Sequence, residues 1–230
     1  VDPPGALSLL GETVMALRAV DAVILVVNVS SGIRSELLRI WARVTTLSLP
    51  CLLFLNDLDK DDASLDEAIA ICQRELGIMP LPMSLPYRTG SQLNGVLDLA
   101  QQCLIASRKE SPTIQQLPIP EHEQAVVGEA RKCVQEGIAE HDDRLLEQYL
   151  AVGELTQEDL MKGLRLGVQA GTIAPLYSGS ATENVGIVPL LNAIVDLLPS
   201  PMERATTASL TGLHPDTGEH ITRRALHEDP

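Results

Sequence analysis

Three short stretches hold residue types that could do chemistry. "CLLFLNDLDK", Cys51 to Lys60, is an apolar run that ends on Asn56 and passes at once to Asp57, Leu58 and Asp59. "VDPPG", Val1 to Gly5, sets Asp2 shortly before a glycine, and "SGSA", Ser178 to Ala181, follows another apolar run. Each alone is what an ordinary turn or loop cap looks like, because Asp, Asn, Ser, Gly and Pro all favour turns. In this order they also fit one site at the carboxyl ends of parallel strands, where open α/β sheets bind ligands. Asp2 at a strand end can hold Mg²⁺ through water, since Mg²⁺ takes few direct protein oxygens and keeps much of its hydration shell. Gly5 just after it lets a backbone N–H approach a terminal phosphate. The carboxylate of Asp59 can accept from N1–H and N2–H₂ of guanine, a donor pair that adenine lacks, with Asn56 beside it in the same base reader. A base that left such groups buried and unpaired would cost on the order of 1–3 kcal/mol per group. The backbone N–H groups of Ser180 and Ala181 can serve the guanine carbonyl oxygen.

The elements that must position these loops read as a doubly wound α/β domain. "GETVMALRAVD", residues 11–21, has helical spacing. "DAVILVVNVSSG" follows with a continuous apolar run, Ala22 to Val27, ending on Asn28. Such a run suits a parallel strand covered on both faces. "SELLRIWARVTTLSLP" puts Leu37, Ile40, Trp41 and Val44 on one helical stripe. After the strand at 51–56, "SLDEAIAICQREL" is a helix with Ser64 as N-cap, Glu67 in capping-box position and Gly77 as stop. From Gly77 the texture changes to a Pro-rich stretch. "LNGVLDL" in it reads as a short strand, and "RKESPTIQQLPIPEHE" as a polar surface segment. Helices are expected at 123–140, at 142–150, and from Thr156 (N-cap) to Gly171 (stop). "TIAPLYSGSA" reads as a strand, and "VGIVPLLNAIVDLLPSP" as a helix ended by Pro199 and Pro201. The "HPDTGE" turn in the tail lies between short β-like runs.

The chain has 230 residues, 45% of them apolar and only 2% aromatic, so the core is aliphatic. A net charge of −14 excludes a broad basic face for nucleic acid, with no direct DNA binding expected, but leaves room for a local contact to RNA or a basic protein. Cys51, Cys72, Cys103 and Cys133 are widely spaced, which speaks against a metal site; Cys51 and Cys72 read as core residues. No apolar run approaches the length of a membrane span, and a reducing cytoplasm is the expected compartment. His122, His141, His214, His220 and His227 show no ligand spacing and read as surface residues. The acidic "DKDDASLDE" lacks calcium-loop spacing and reads as a solvated helix start.

These stretches resemble the GTPase domain of elongation factor G. "VDPPGALSLLGETVMALRAVDAVILVVNVSSG" is similar to that family's Asp-x-x-Gly segment with the helix and strand after it, and "FLNDLDK" to its Asn-Lys-x-Asp guanine motif. "LGIMPLPMSLPYRTGSQLNGVLDL" and "LLEQYLAVGELTQEDL" resemble the opening and exit of its inserted subdomain. "YSGSATENVGIVPLLNAIVDLLPSPME" resembles the Ser-Ala motif and last helix. The resemblance implies a mostly parallel sheet of the P-loop GTPase type, with an α+β insert and the start of a β-barrel domain. The implied division is 1–80 and 150–202 for the GTPase domain, 81–149 for the insert, and 203–230 for linker and barrel.

The resemblance further implies GTP or GDP with Mg²⁺, a ribosomal partner, and a role in translocation during protein synthesis. Asn56, Asp59, Ser180 and Ala181 would bind guanine, and Asp2 and Gly5 would sense Mg²⁺ and the terminal phosphate. The sequence departs from the family in four ways, one of them Pro3 in place of the usual Thr. The phosphate-binding loop and switch I are absent; since the chain starts on Val1 and stops on "HEDP", it is expected to be an excerpt of a longer one. Asp57 stands where the guanine motif has Lys, and should repel the triphosphate. Ala6 stands where the family usually has the His that orients the hydrolytic water. The chain by itself is therefore not expected to hydrolyse GTP, even if the parent protein does. A non-hydrolysing, nucleotide-sensing or ribosome-binding module of the same fold is the alternative.

Overall fold

The computed structural model of the protein describes residues 1–3, 7–60, 63–108, 111–207 and 210–223. A 3₁₀ turn leads into α1 (Leu10–Leu17), β1 (Val23–Asn28), α2 (Ser35–Thr46), β2 (Cys51–Asn56) and α3 (Leu65–Leu76). Five short strands follow: β3 (Pro80–Pro82), β4 (Ser84–Thr89), β5 (Gln92–Asp98), β6 (Cys103–Arg108) and β7 (Ser111–Leu117). Then come α4 (Gln124–Ala139), α5 (Asp143–Val152), α6 (Gln157–Ala170), β8 (Ala174–Ser178), α7 (Ile187–Leu197), α8 (Pro201–Thr207), β9 (Leu210–Leu213) and β10 (His220–Arg223).

The main sheet is parallel, in the order β1-β2-β8-β3. Alternation along β2 sorts its side chains onto two faces. Leu52 and Phe54 join Leu160, Leu164, Val168 and Leu190 of α6 and α7. Cys51, Leu53 and Leu55 join Leu17, Val44, Cys72 and Leu76 of α1, α2 and α3. This is the doubly wound α/β arrangement expected, with a second, antiparallel sheet in the order β4-β5-β6-β7. That second sheet feeds both clusters, Leu97 and Leu104 into the first and Val96 and Ile105 into the second.

The caps follow the sequence. Ser64 Oγ accepts from Glu67 N, Thr156 Oγ1 from Asp159 N, and Gly77 and Gly171 end their helices in the left-handed region. The tail forms an antiparallel pair, β9 with β10, around a turn in which His214 Nδ1 accepts from the amides of Asp216 and Thr217. Of the histidines, His122, His141 and His220 are exposed and His214 is half-buried; His227 lies outside the described residues.

Two readings need correction. The segments around 77–91 and 108–123 are not merely Pro-rich surface, for they contain β3, β4 and β7, and β6 adds a strand beyond those expected. The reason is positional. Pro80 and Pro82 sit on β3, Pro86 on β4 and Pro112 on β7, all edge strands of their sheets, where a missing N–H need not break a ladder. Second, β1 is not covered on both faces. Leu25 and Val27 are buried, but Ile24 is 37% and Val26 51% exposed. β1 is the edge strand, and none of its side chains joins the buried cluster under α6 and α7.

The expected insert, 81–149, contains β4 to β7, α4 and most of α5, while its first residues, Leu81 and Pro82, still pair with β8. Met83 N donates to Leu176 O at 2.8 Å, and the two sheets are then tied at Ser84 and Ser178. Ser178 N donates to Ser84 Oγ at 2.9 Å, and Ser178 Oγ donates to Ser84 O at 3.0 Å. Among the described residues no helix is long and apolar enough to cross a membrane.

Candidate functional site

Register builds the site. β1 and β2 pair so that Asn28 lies opposite Asn56, and β2 and β8 so that Leu55 lies opposite Ser178. Three strand ends, each followed by a polar loop, therefore finish level at the carboxyl edge of the sheet.

Asn56 is the hub of this edge. Its Nδ2 donates to Asn28 Oδ1 at 3.1 Å and to Asp57 Oδ1 at 3.0 Å, and its Oδ1 accepts from Ala181 N at 2.9 Å. The amide side chain thus joins all three loops and uses both of its donors within the protein. Asp57 has φ of 67°, the left-handed conformation that Asp tolerates better than most side chains, and it turns the chain sharply off the strand. Leu58 is fully buried, and its N–H donates to Gly179 O at 3.1 Å. Arg88, on β4, donates from Nη2 to the Leu58 carbonyl and from Nη1 to Ser91 O at 3.1 Å.

Asp59 comes next. Among the described residues its buried Oδ1 has no hydrogen-bond partner, although buried polar atoms in folded proteins are nearly always paired. Burial pushes its pKa up, but the Ser180 hydroxyl, its own backbone amide and the Lys60 charge together bring it below the ordinary value. At neutral pH it is a carboxylate with an idle acceptor atom, fit for a ligand N–H. The Lys60 ammonium stands 3.4 Å from the other oxygen, on an exposed side chain.

The Ser178–Ala181 loop closes around Gly179. A Cβ there would strike the carbonyl of Val185, so only glycine allows this approach. Ser180 and Val185 exchange backbone hydrogen bonds at 3.0 and 2.9 Å, and Ser180 Oγ accepts from Glu183 N at 3.3 Å. The Ser180 amide is therefore closed off, which corrects the expectation that both amides face a base. Among the described residues the Ala181 amide bonds only to the Asn56 side chain, a partner that a ligand oxygen can replace.

Asn56, Asp59, Ser180 and Ala181 are thus brought together. Asp2 is exposed and lines a different hollow, along β1 with Val23 to Val26 and Leu37. Gly5 and Ala6 lie outside the described residues. Among the described residues no group of three His, Cys, Asp or Glu side chains could hold a metal ion. Asp59 offers an acceptor oxygen at this edge, while Asp2, the residue expected to hold Mg²⁺, is an exposed carboxylate away from it. Two members of the site escape sequence reasoning. Asn28 had a signal, a second apolar strand ending on Asn. Arg88 had none, being a lone cation after a Pro-rich run.

Comparison with known proteins places the chain in a family. The family described as the elongation factor Tu GTP binding domain matches residues 1–200. The crystal structure of ttk003000868 from Thermus thermophilus is similar at 29% identity with a TM-score of 0.81, over 96% of this chain and 34% of that one. The chain thus spans about a third of the length of that protein.

Proposed function

This chain belongs to the elongation factor Tu GTP-binding domain family, and from that premise we propose that it carries the guanine-reading part of an elongation factor G-like translational GTPase. The observation that carries the reading is the buried, unpartnered Oδ1 of Asp59 at the carboxyl edge of the sheet. In this reading Asp59, ionised at neutral pH, accepts N1–H and N2–H₂ of guanine. Asn56 holds the loops of β1 and β2 through Asn28 and Asp57, and the β8 loop through the Ala181 amide until a base binds. The Ala181 amide turns from Asn56 Oδ1 to the guanine carbonyl oxygen. Mg²⁺, when bound, neutralises charge on the phosphates, and Asp2 would hold it through water, with Gly5 near the terminal phosphate. Hydrolysis in sites of this kind rests on positioning and electrostatics. The parent would act on the ribosome, in the cytoplasm, during translocation. Residues 1–80 and 150–202 would form its GTPase domain, 81–149 the insert, and 203–230 the passage into a β-barrel.

A second reading is favoured by one residue. Asp57 puts a carboxylate where the family's guanine motif has Lys, and it is committed to Asn56. A negative charge there opposes a polyphosphate, which suits a nucleotide sensor or ribosome-binding module that does not hydrolyse. Comparing GTP affinity with single-turnover hydrolysis in the full-length protein separates the two.

The test of the base reader is Asp59→Asn in the full-length protein, with GDP and xanthosine diphosphate titrated against both forms. Xanthine keeps N1–H but carries a C2 carbonyl where guanine has its amino group, so it asks for one acceptor and one donor, which an Asn side chain supplies. The variant is expected to lose GDP affinity roughly tenfold or more and to bind xanthosine diphosphate better than GDP. An unchanged base preference refutes the assignment.

A further inference from the structure

We propose that Arg88 is a positioning residue for the base reader, and that through it the antiparallel sheet forms part of the nucleotide site. The proposal rests on the reading of Asp59 given above. Leu58 is the single residue between the left-handed Asp57 and Asp59, and its peptide groups are held from two directions. On one side its N–H donates to Gly179 O of the β8 loop; on the other its carbonyl accepts from Arg88 Nη2. The Leu58 carbonyl and the Asp59 nitrogen share one rigid peptide plane. Fixing that carbonyl therefore fixes the place of the Asp59 Cα and the N–Cα bond about which its side chain swings, which narrows the positions its carboxylate can reach.

β4 is shaped for this reach. Its ladder with β5 runs regularly from Ser84 opposite Asp98 to Tyr87 opposite Gly95. It then shifts at Tyr87/Arg88, so that Arg88 lies opposite Leu93. Irregularities of this kind re-aim a side chain next to functional sites. The guanidinium spans two carbonyls, Leu58 O and Ser91 O, in different parts of the fold. A planar fork with fixed donors can do this, whereas a lysine ammonium is a single point charge. Hydrogen bonds from a charged donor are about twice as strong as neutral ones, which suits a strap across the loop after β2.

The experiment measures dissociation constants for GDP and inosine diphosphate with the full-length protein in wild-type, Arg88→Met and Arg88→Lys forms, alongside thermal midpoints. Inosine lacks the N2 amino group, so the ratio of the two constants reads how well Asp59 is aimed, which a loss of fold stability alone does not change. The wild type is expected to prefer GDP by roughly tenfold or more. Arg88→Met, which keeps the apolar stem, is expected to weaken GDP roughly tenfold and bring the ratio toward one, with Arg88→Lys between the two. Wild-type discrimination in either variant overturns the role of Arg88. A wild type that does not distinguish the two nucleotides overturns the base reader itself, and the proposal with it.

Discussion

Asn56 provides the sharpest quantitative test of the edge, because its substitution has a cost that can be worked from the contacts. Asn56→Ala removes a hydrogen bond to the Asp57 carboxylate at 3.0 Å, one to Asn28 Oδ1 at 3.1 Å, and the acceptor for Ala181 N at 2.9 Å. A bond to a charged group contributes about 1.5–3 kcal/mol net and a neutral one about 1 kcal/mol. Asn28 and Ala181 are exposed and regain water, so their shares are small. The expected total is about 2 kcal/mol, which for a chain of this size lowers Tm by about 4–8 °C. Asn56→Asp keeps the acceptor for Ala181 but loses both donors and sets a second carboxylate beside Asp57. At about 3 Å two like charges repel by about 1–5 kcal/mol between bulk water and a partly screened surface. The Asp variant should therefore be less stable than the Ala variant, and added salt should narrow the gap. Trp41, the sole tryptophan, reports unfolding by fluorescence, since its indole N–H donates to Leu76 O at 2.9 Å between α2 and α3. An Asp variant as stable as the Ala variant, or an Ala shift under about 1 °C, would show that the three loops are not tied through Asn56.

Two further outcomes follow from burial. Asp98 caps the turn after β5, its Oδ1 accepting from the amides of Ala100 and Gln101, yet burial outweighs these bonds and the nearby Arg131 and raises its pKa above 3.8. A folded pKa above the unfolded one means that the stability due to protonated Asp98 is complete below the unfolded value and is lost as pH rises through the folded one. Urea unfolding from about pH 4 upward should therefore show the wild type losing stability relative to Asp98→Asn; a gain with rising pH would contradict the burial argument. Thiol titration at about pH 8 should find one fast cysteine, Cys133, which is exposed. Burial pushes Cys51 up to about 12 and Cys72 up to about 11, and burial with the Asp98 charge raises Cys103. Cys133→Ser should abolish the fast phase, and a second fast thiol would contradict the packing of the other three.

The helices and long strands were legible because the forces that make them are local. Ser64 and Thr156 cap the helices they were expected to cap, and Gly77 and Gly171 stop them, since a hydroxyl near an unpaired amide and a left-handed glycine act within a few residues. The apolar run at 51–56 reads as a buried strand, and β2 is one. The same argument failed for β1, because coverage depends on which helices stand over a strand, and its sequence cannot say that it lies at the sheet edge. Pro80, Pro82, Pro86 and Pro112 hid three strands, since proline argues against a strand unless the strand is at an edge, and edges are fixed by topology. Asn56, Asp59, Ser180 and Ala181 could be named as one candidate set, but not their bonding. The register of β1, β2 and β8 decided that Asn56 spends its amide on Asn28, Asp57 and Ala181, and that Ser180 is closed by Val185. Residue types and short-range spacing thus determined the elements and the chemistry available at their ends. Tertiary structure alone decided that Asp59 keeps an unpaired oxygen and that Arg88 reaches the Leu58 carbonyl, because hydrogen bonds across 30 residues of chain depend on how two sheets pack.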